Sequence, residues 1–195
     1  MKINRLQLVV AFGFALVTAL IAWKSTRAYV VNYTWSTNTA SFTYDPSLPT
    51  GFYSGVSSGA YAWNDVGTSS WAWYNSPSGG NWMKYGYIDG NGNAAAGMTP
   101  TICNPGGHLC KIEIKFESGE YWYTGSGTPL SYQVDLRSVA THEFGHALGL
   151  GHTQTMPNCP GNVSDATMCP SLPAGTTYFR SLQGDDRLAV STVYP

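Results

Sequence analysis

His142-Glu-Phe-Gly-His-Ala-Leu-Gly-Leu-Gly-His152 is the stretch that decides what this chain can be. It overlaps Val134–Leu148, where apolar residues recur at helical spacing: Val134, Leu136, Val139, Ala140, Phe144, Ala147 and Leu148 form one face. Asp135 stands near the start, where a carboxylate suits the helix dipole. Gly149 and Gly151 end the helix. His142 and His146 are one turn apart, so both imidazoles project from one face and can hold a single metal ion. Gly149 lets the chain turn sharply and bring His152 back as a third nitrogen. Three protein nitrogens leave a fourth tetrahedral position open, as a catalytic zinc needs and a structural zinc does not. All-imidazole ligation suits zinc, although copper, nickel or cobalt can bind such a set in vitro. Glu143 lies beside the first ligand and can reach a zinc-bound water without ligating, as a general base. A single histidine is ordinarily a buried or surface residue. Three of the four histidines in the chain fall within these eleven positions.

The full pattern H-E-x-x-H-x-x-G-x-x-H resembles that of the metzincin zinc peptidases. Ala166-Thr-Met-Cys-Pro170 looks like their Met-turn, which implies Met168 as the apolar floor of the site; Met156 is a rival with less fitting neighbours. Thr153 follows the third histidine as in the matrixin branch. Gln183–Pro195 resembles the matrixin closing helix, with Asp185 and Asp186 implied to be structural. The resemblance to a bacterial-type matrixin catalytic domain covers residues 29–195. It is specific at 142–152 and 166–170 and loose before residue 90. It implies an α+β fold: a twisted mixed sheet with an early helix, an active-site helix, the Met-turn and a C-terminal helix. The implied activity is hydrolysis of internal peptide bonds by a zinc-bound water activated by Glu143. A protein or peptide substrate would lie extended along the strand edge Ala94–Thr99, with a side-chain pocket shaped around Pro170–Tyr178.

Three departures accompany this likeness. Residues 94–100 carry none of the histidines that hold a second, structural zinc in matrixins such as the collagenases, and His108 alone cannot build a site, so one zinc ion is expected. Pro170 stands where some metzincins carry an oxyanion-binding Tyr. No cysteine lies between the N-terminal targeting segment and the domain to cap the metal.

The rest of the chain is consistent with one domain of strands, then helix, loops and helix. Ser41-Phe-Thr-Tyr44 alternates as a strand ending at Asp45-Pro46, and residues 54–66 read as a helix with Val56, Ala60, Trp63 and Val66 inward. Ser69–Tyr74, Trp82–Ile88, Ala94–Thr99 and Lys111–Phe116 read as strands. Leu182–Tyr194 reads as a helix with Leu188, Ala189 and Val193 inward. Asp89-Gly-Asn-Gly-Asn93 resembles the opening of a calcium loop but lacks the sixth-position Gly and the distal Glu, so a plain turn is preferred over a calcium site.

Lys2 and Arg5 precede an apolar run from Leu6 to Trp23, and small residues at Thr26 and Ala28 mark cleavage after Ala28, with Ala22 as the competing point. Residues 1–28 are therefore read as a signal peptide and residues 29–195 as the mature, secreted domain; an uncleaved anchor is the alternative. Four cysteines in an exported chain suggest two disulfides. Cys103–Cys110 and Cys159–Cys169 are the favoured pairs, because each brackets a Gly/Pro/Asn-rich loop; a Cys-ligated zinc is disfavoured by the spacings. Asn32 and Asn162 begin formal glycosylation acceptors. Beyond residue 28 there are 6 basic and 11 acidic residues and no basic stripe, so no nucleic-acid partner is expected. A monomer is expected. The rivals to a peptidase are a non-catalytic zinc-containing binding or adhesive module, which the retained Glu143 opposes, and a carbohydrate or cell-wall binder, suggested by seven Trp and thirteen Tyr.

Overall fold

The computed structural model describes residues 29–88, 95–103, 106–153 and 166–195. The chain enters as two short strands, β1 (Val30–Val31) and β2 (Thr34–Trp35), followed by β3 (Thr39–Tyr44), where Ala40, Phe42 and Thr43 are buried. A 3-10 turn at Thr50–Phe52 leads into α1 (Tyr53–Ala62). Val56 and Ala60 point inward from α1, and Trp63 and Val66 just beyond it are buried as well, as the sequence pattern required. Next come β4 (Ala72–Asn75), β5 (Asn81–Gly86), β6 (Ala96–Ile102) and β7 (His108–Glu117). Two short strands, β8 (Trp122–Tyr123) and β9 (Val134–Asp135), precede α2 (Leu136–Ala147); β10 (Leu150–Gly151) follows it, and α3 (Gly184–Val193) closes the chain. No helix among the described residues is long and apolar enough to cross a membrane.

The main sheet has the order β2-β7-β5-β3-β4, all parallel, with β6 antiparallel on the other side of β7. It is the expected mixed sheet. Its parallel part exists because α1 carries the chain from β3 over to β4, as parallel pairing demands. The hairpin β6–β7 is tied near its tip by the expected Cys103–Cys110 disulfide, with Cα atoms 5.7 Å apart. Cys169 is also disulfide-bonded. Cys159, Met156, Asn162 and the Asp89–Asn93 stretch lie outside the described residues.

Helix α2 packs on α1 at very close range. A Cβ on Gly59 would lie 2.6 Å from Ala140 Cβ, and one on Gly55 would lie 2.9 Å from Leu136 Cδ2. The small residues of Ser54–Ala60 are thus what lets the two backbones approach. On its other side Phe144 meets Phe42 at 5.2 Å and Trp73 at 5.1 Å, both edge to face. Trp63, Trp71 and Trp73 are buried, and Trp35, Trp82 and Trp122 are half-buried, so no described tryptophan offers an exposed platform for a sugar.

One inward residue differs from the sequence expectation. Leu188 on α3 is 42% exposed, whereas Asp186, Ala189 and Val190 are buried and Val193 is half-buried. The helix is rotated to bury Asp186, whose carboxylate is needed inside.

Candidate metal centre

Helix α2 begins with a strong cap. The Asp135 side chain accepts from Ser138 N at 2.8 Å, satisfying one of the orphan amides of the first turn. The same carboxylate, fully buried, is gripped by the Arg180 guanidinium through Nε (3.0 and 3.1 Å) and Nη2 (2.5 Å). Arg180 also donates to the carbonyls of Gly125 and Ser126, so its donors are well used. Asp135 holds its guanidinium above the usual arginine range. The pair ties the 3-10 turn Tyr178–Arg180 to the start of α2.

Six residues into this fixed helix stands His142, one turn before His146. After Ala147 the chain turns at Gly149, whose φ is +95°, a left-handed conformation that disfavours any side chain. A Cβ there would also run into the carbonyl of Tyr33. The turn delivers β10 and then His152. His152 Nε2 lies 3.1 Å from His146 Nε2 and 3.3 Å from His142 Nε2. Tetrahedral zinc with Zn–N of about 2.0–2.1 Å places its ligand nitrogens about 3.3 Å apart, so the donor set fits that ion.

The far sides of the rings agree. His142 Nδ1 faces Thr167 O at 2.7 Å and His146 Nδ1 faces Leu150 O at 2.8 Å. A carbonyl can only accept, so each Nδ1 carries the proton and each Nε2 presents a lone pair to the common point. Burial, together with the neighbouring imidazoles, pushes His142 down to about 3; burial pushes His146 down to about 4, and lowers His152 as well. The cluster is therefore neutral at ordinary pH, the state a metal ion requires.

Glu143 is 6% exposed, and its Oε2 has no hydrogen-bond partner among the described residues. Burial pushes its carboxyl up to about 8. A cation beside it would draw that value down again. Both Glu143 and the three histidines line an open cleft of about 780 Å³ that runs between α2 and β6. Ala96, Gly97 and Met98 form one rim, and Pro170, Ser171 and Leu172 lie on its wall. The strand on the rim is β6, at Ala96–Ile102 where the sequence suggested Ala94–Thr99, and among the described residues it pairs with β7 alone.

Beneath the helix lies Met168, 1% exposed. A Cβ on Gly145, the residue between Phe144 and His146, would overlap Met168 Sδ and stand 2.6 Å from Trp63 Cζ2. Gly145 is thus the gap in the helix face that admits Met168. Thr153 N donates to Met168 O at 2.9 Å, joining the residue after His152 to the same turn. Asp186 holds this turn from behind: it accepts from Thr167 N (2.8 Å), Met168 N (3.3 Å) and Gln183 N (2.9 Å). Asp185 takes a weaker part, accepting from Thr153 Oγ1 at 3.3 Å.

Four sequence candidates are therefore brought together at one cleft: His142, Glu143, His146 and His152, with Met168 packed under the helix. Sequence reasoning missed the Thr167 and Leu150 carbonyls, Gly145 and Arg180. Of these only Gly145 left a local signal, a glycine inside an otherwise strong helix.

A mostly parallel sheet with an antiparallel edge strand, a helix bearing two of three converged histidines, and a methionine turn below it define a metzincin. The Peptidase_M10 (Matrixin) profile matches residues 79–195, more than half of the chain, and the chain belongs to the matrixin family. It is 32% identical over 140 residues to karilysin of Tannerella forsythia, covering 68% of this chain and 26% of that protein. It is 37% identical over 73 residues to metalloendoproteinase 1 of Glycine max (36% and 21%) and 46% identical over 92 residues to human matrix metalloproteinase-25 (46% and 15%). The matches thus span about a quarter or less of these relatives' own lengths.

Proposed function

We propose that this chain is a secreted zinc-dependent endopeptidase that hydrolyses internal bonds of polypeptides, with zinc held by His142, His146 and His152 and with Glu143 as the general base. The observation that carries the proposal is the convergence of three imidazole Nε2 atoms beside a buried carboxylate oxygen that lacks a partner among the described residues. Zinc, when bound there, would supply Lewis acidity that makes water a much stronger acid and polarises the scissile carbonyl. Glu143 takes the proton from the attacking water and passes it to the leaving amine. The free edge of β6 pairs with an extended substrate backbone and holds it in the cleft. Thr167 O and Leu150 O keep the imidazoles of His142 and His146 in the ligating tautomer. The chain acts as a monomer, and residues 1–28 direct its export.

The test is Glu143→Ala. All three nitrogen donors remain, so zinc should stay bound at one ion per chain while cleavage of a quenched peptide library falls by at least a thousandfold. Cleavage by that variant at a rate comparable with the unaltered protein would overturn the base assignment. Chelator-insensitive cleavage by the unaltered protein would overturn the metal assignment.

A further inference from the structure

The last carbonyls of a helix have no partner within it. At the end of α2 they are satisfied by residues distant in sequence, from the N-terminal strands and from the last turn of the chain. Trp35 Nε1 donates to Ala147 O at 2.7 Å, and the Tyr194 hydroxyl donates to Leu148 O at 2.8 Å while accepting from Trp35 N at 3.0 Å. Asn32 N and Tyr33 N both donate to Gly149 O, at 2.7 and 3.2 Å. Strand β1 then pairs with β10, Val31 opposite Leu150 and Val30 opposite Gly151. So every backbone position from 147 to 151 is fastened, and all but one of those fastenings come from residues 30–35.

The fastened positions are the ones on which two ligand nitrogens depend. Leu150 O accepts from His146 Nδ1, so the placing of Leu150 sets that ring. His152 follows Gly151 directly and is exposed, and among the described residues its ring nitrogens meet the two imidazoles. Its position is set by β10 before it and by Thr153 N to Met168 O after it. We infer that residues 30–35 act as a clamp that positions His146 and His152 for metal binding, so that zinc affinity depends on an intact N-terminal strand. Asn32 and Tyr33 also line the cleft, so the clamp and the rim beside His152 are the same piece of chain. The inference rests on the proposed zinc ligation.

The test measures zinc affinity of the folded, metal-free chain by competition with a chelating indicator, with cobalt absorption as a second readout. Asn32→Pro removes the closer of the two amides that donate to Gly149 O. Asn32→Ala keeps that amide, and Val56→Ala destabilises the core without touching the clamp. Partners that orient metal ligands affect binding by about 10–100-fold. Asn32→Pro should raise the zinc Kd by that factor and shift the cobalt bands, whereas Asn32→Ala and Val56→Ala should match the unaltered chain. If Asn32→Pro does not fold, Trp35→Phe, which removes the Nε1 donor to Ala147 O, takes its place in the same comparison. An unchanged zinc Kd and cobalt spectrum in the clamp variant would overturn the inference, as would equal loss in Val56→Ala. Failure of the unaltered chain to bind zinc would instead overturn the ligation on which the inference rests.

Discussion

Asp186→Ala removes one carboxylate and leaves three backbone amides without an acceptor. Thr167 and Met168 are 0% and 1% exposed, so water cannot replace the lost acceptor for their N–H groups. Each orphaned buried donor costs about 1–3 kcal/mol. Gln183 is half-buried at the N-cap of α3, and its loss is that of a cap, about 1 kcal/mol. Against this, burial holds the Asp186 carboxyl above its ordinary range, opposed by its backbone hydrogen bonds, so part of the gain is offset by desolvation. A net loss of about 3 kcal/mol follows, a large part of the 5–15 kcal/mol typical of a domain, and at about 2–4 °C per kcal/mol for this size a melting point lower by about 9 °C. Asp186→Asn keeps one acceptor oxygen and should lose roughly half as much. Asp185→Ala gives up a long hydrogen bond from Thr153 at the edge of this network and should lose clearly less than Asp186→Ala. Urea denaturation of the three metal-free variants measures these differences. Because Thr167 O orients His142, zinc affinity should fall together with stability in Asp186→Ala. A variant as stable as the unaltered chain, or one equal to Asp185→Ala, would refute the role given to this carboxylate.

Arg180→Ala strands the buried Asp135 carboxylate, for a loss of about 3–5 kcal/mol; Arg180→Lys should recover little, since an ammonium cannot reproduce the forked contacts, and thermal unfolding checks both. Gly145→Ala forces a methyl into Met168 and Trp63 and should destabilise by about 1–3 kcal/mol, read by the same method. The metal-free site also predicts a pH optimum. Below 6.5 the unfolded state takes up protons that His142 and His146, at about 3 and about 4, refuse, so stability falls with acid. Above 4.5 the unfolded state gives up the proton that Glu143, at about 8, retains, so stability falls with base. Two histidines outweigh one carboxyl between 4.5 and 6.5, and the carboxyl alone titrates between 6.5 and 8. Stability should therefore rise with pH up to about 6.5 and fall beyond it, by on the order of 1 kcal/mol per pH unit on either side. Stability of the metal-free chain that is flat from pH 5 to 8 would contradict this.

The active helix was legible because its information is local. Periodicity, a capping Asp135 and a terminating Gly149 all lie within sixteen residues, and the structure places the helix at Leu136–Ala147 inside the predicted 134–148. The histidine cluster was legible for the same reason, since one helical turn and one glycine turn bring all three nitrogens together. Strand edges were less so. Pairing partners, not side-chain pattern, decide where β6 and β7 stop, and both run beyond the predicted spans. Leu188 was placed inward on hydrophobicity alone, because nothing in the chain before folding states that Asp186 must be buried to reach Thr167. The clamp of residues 30–35 was invisible in the sequence: Val30 and Gly151 are neighbours only once the sheet and α2 have formed.

The disulfide at the tip of the β6–β7 hairpin has a consequence for the survival of a chain that cuts polypeptides. Residues 103–107 join the strand on the cleft's rim to the strand behind it, and Ile102, Cys103 and Cys110 are exposed. A peptide bond severed anywhere between Cys103 and Cys110, by another copy or by a foreign protease, leaves both ends covalently joined through sulfur. The antiparallel pairing of Ala96–Thr101 with Lys111–Phe116 lies outside the loop and is unaffected by such a nick. Self-digestion at this point therefore changes the number of fragments seen after reduction without separating β6 from the rest of the molecule.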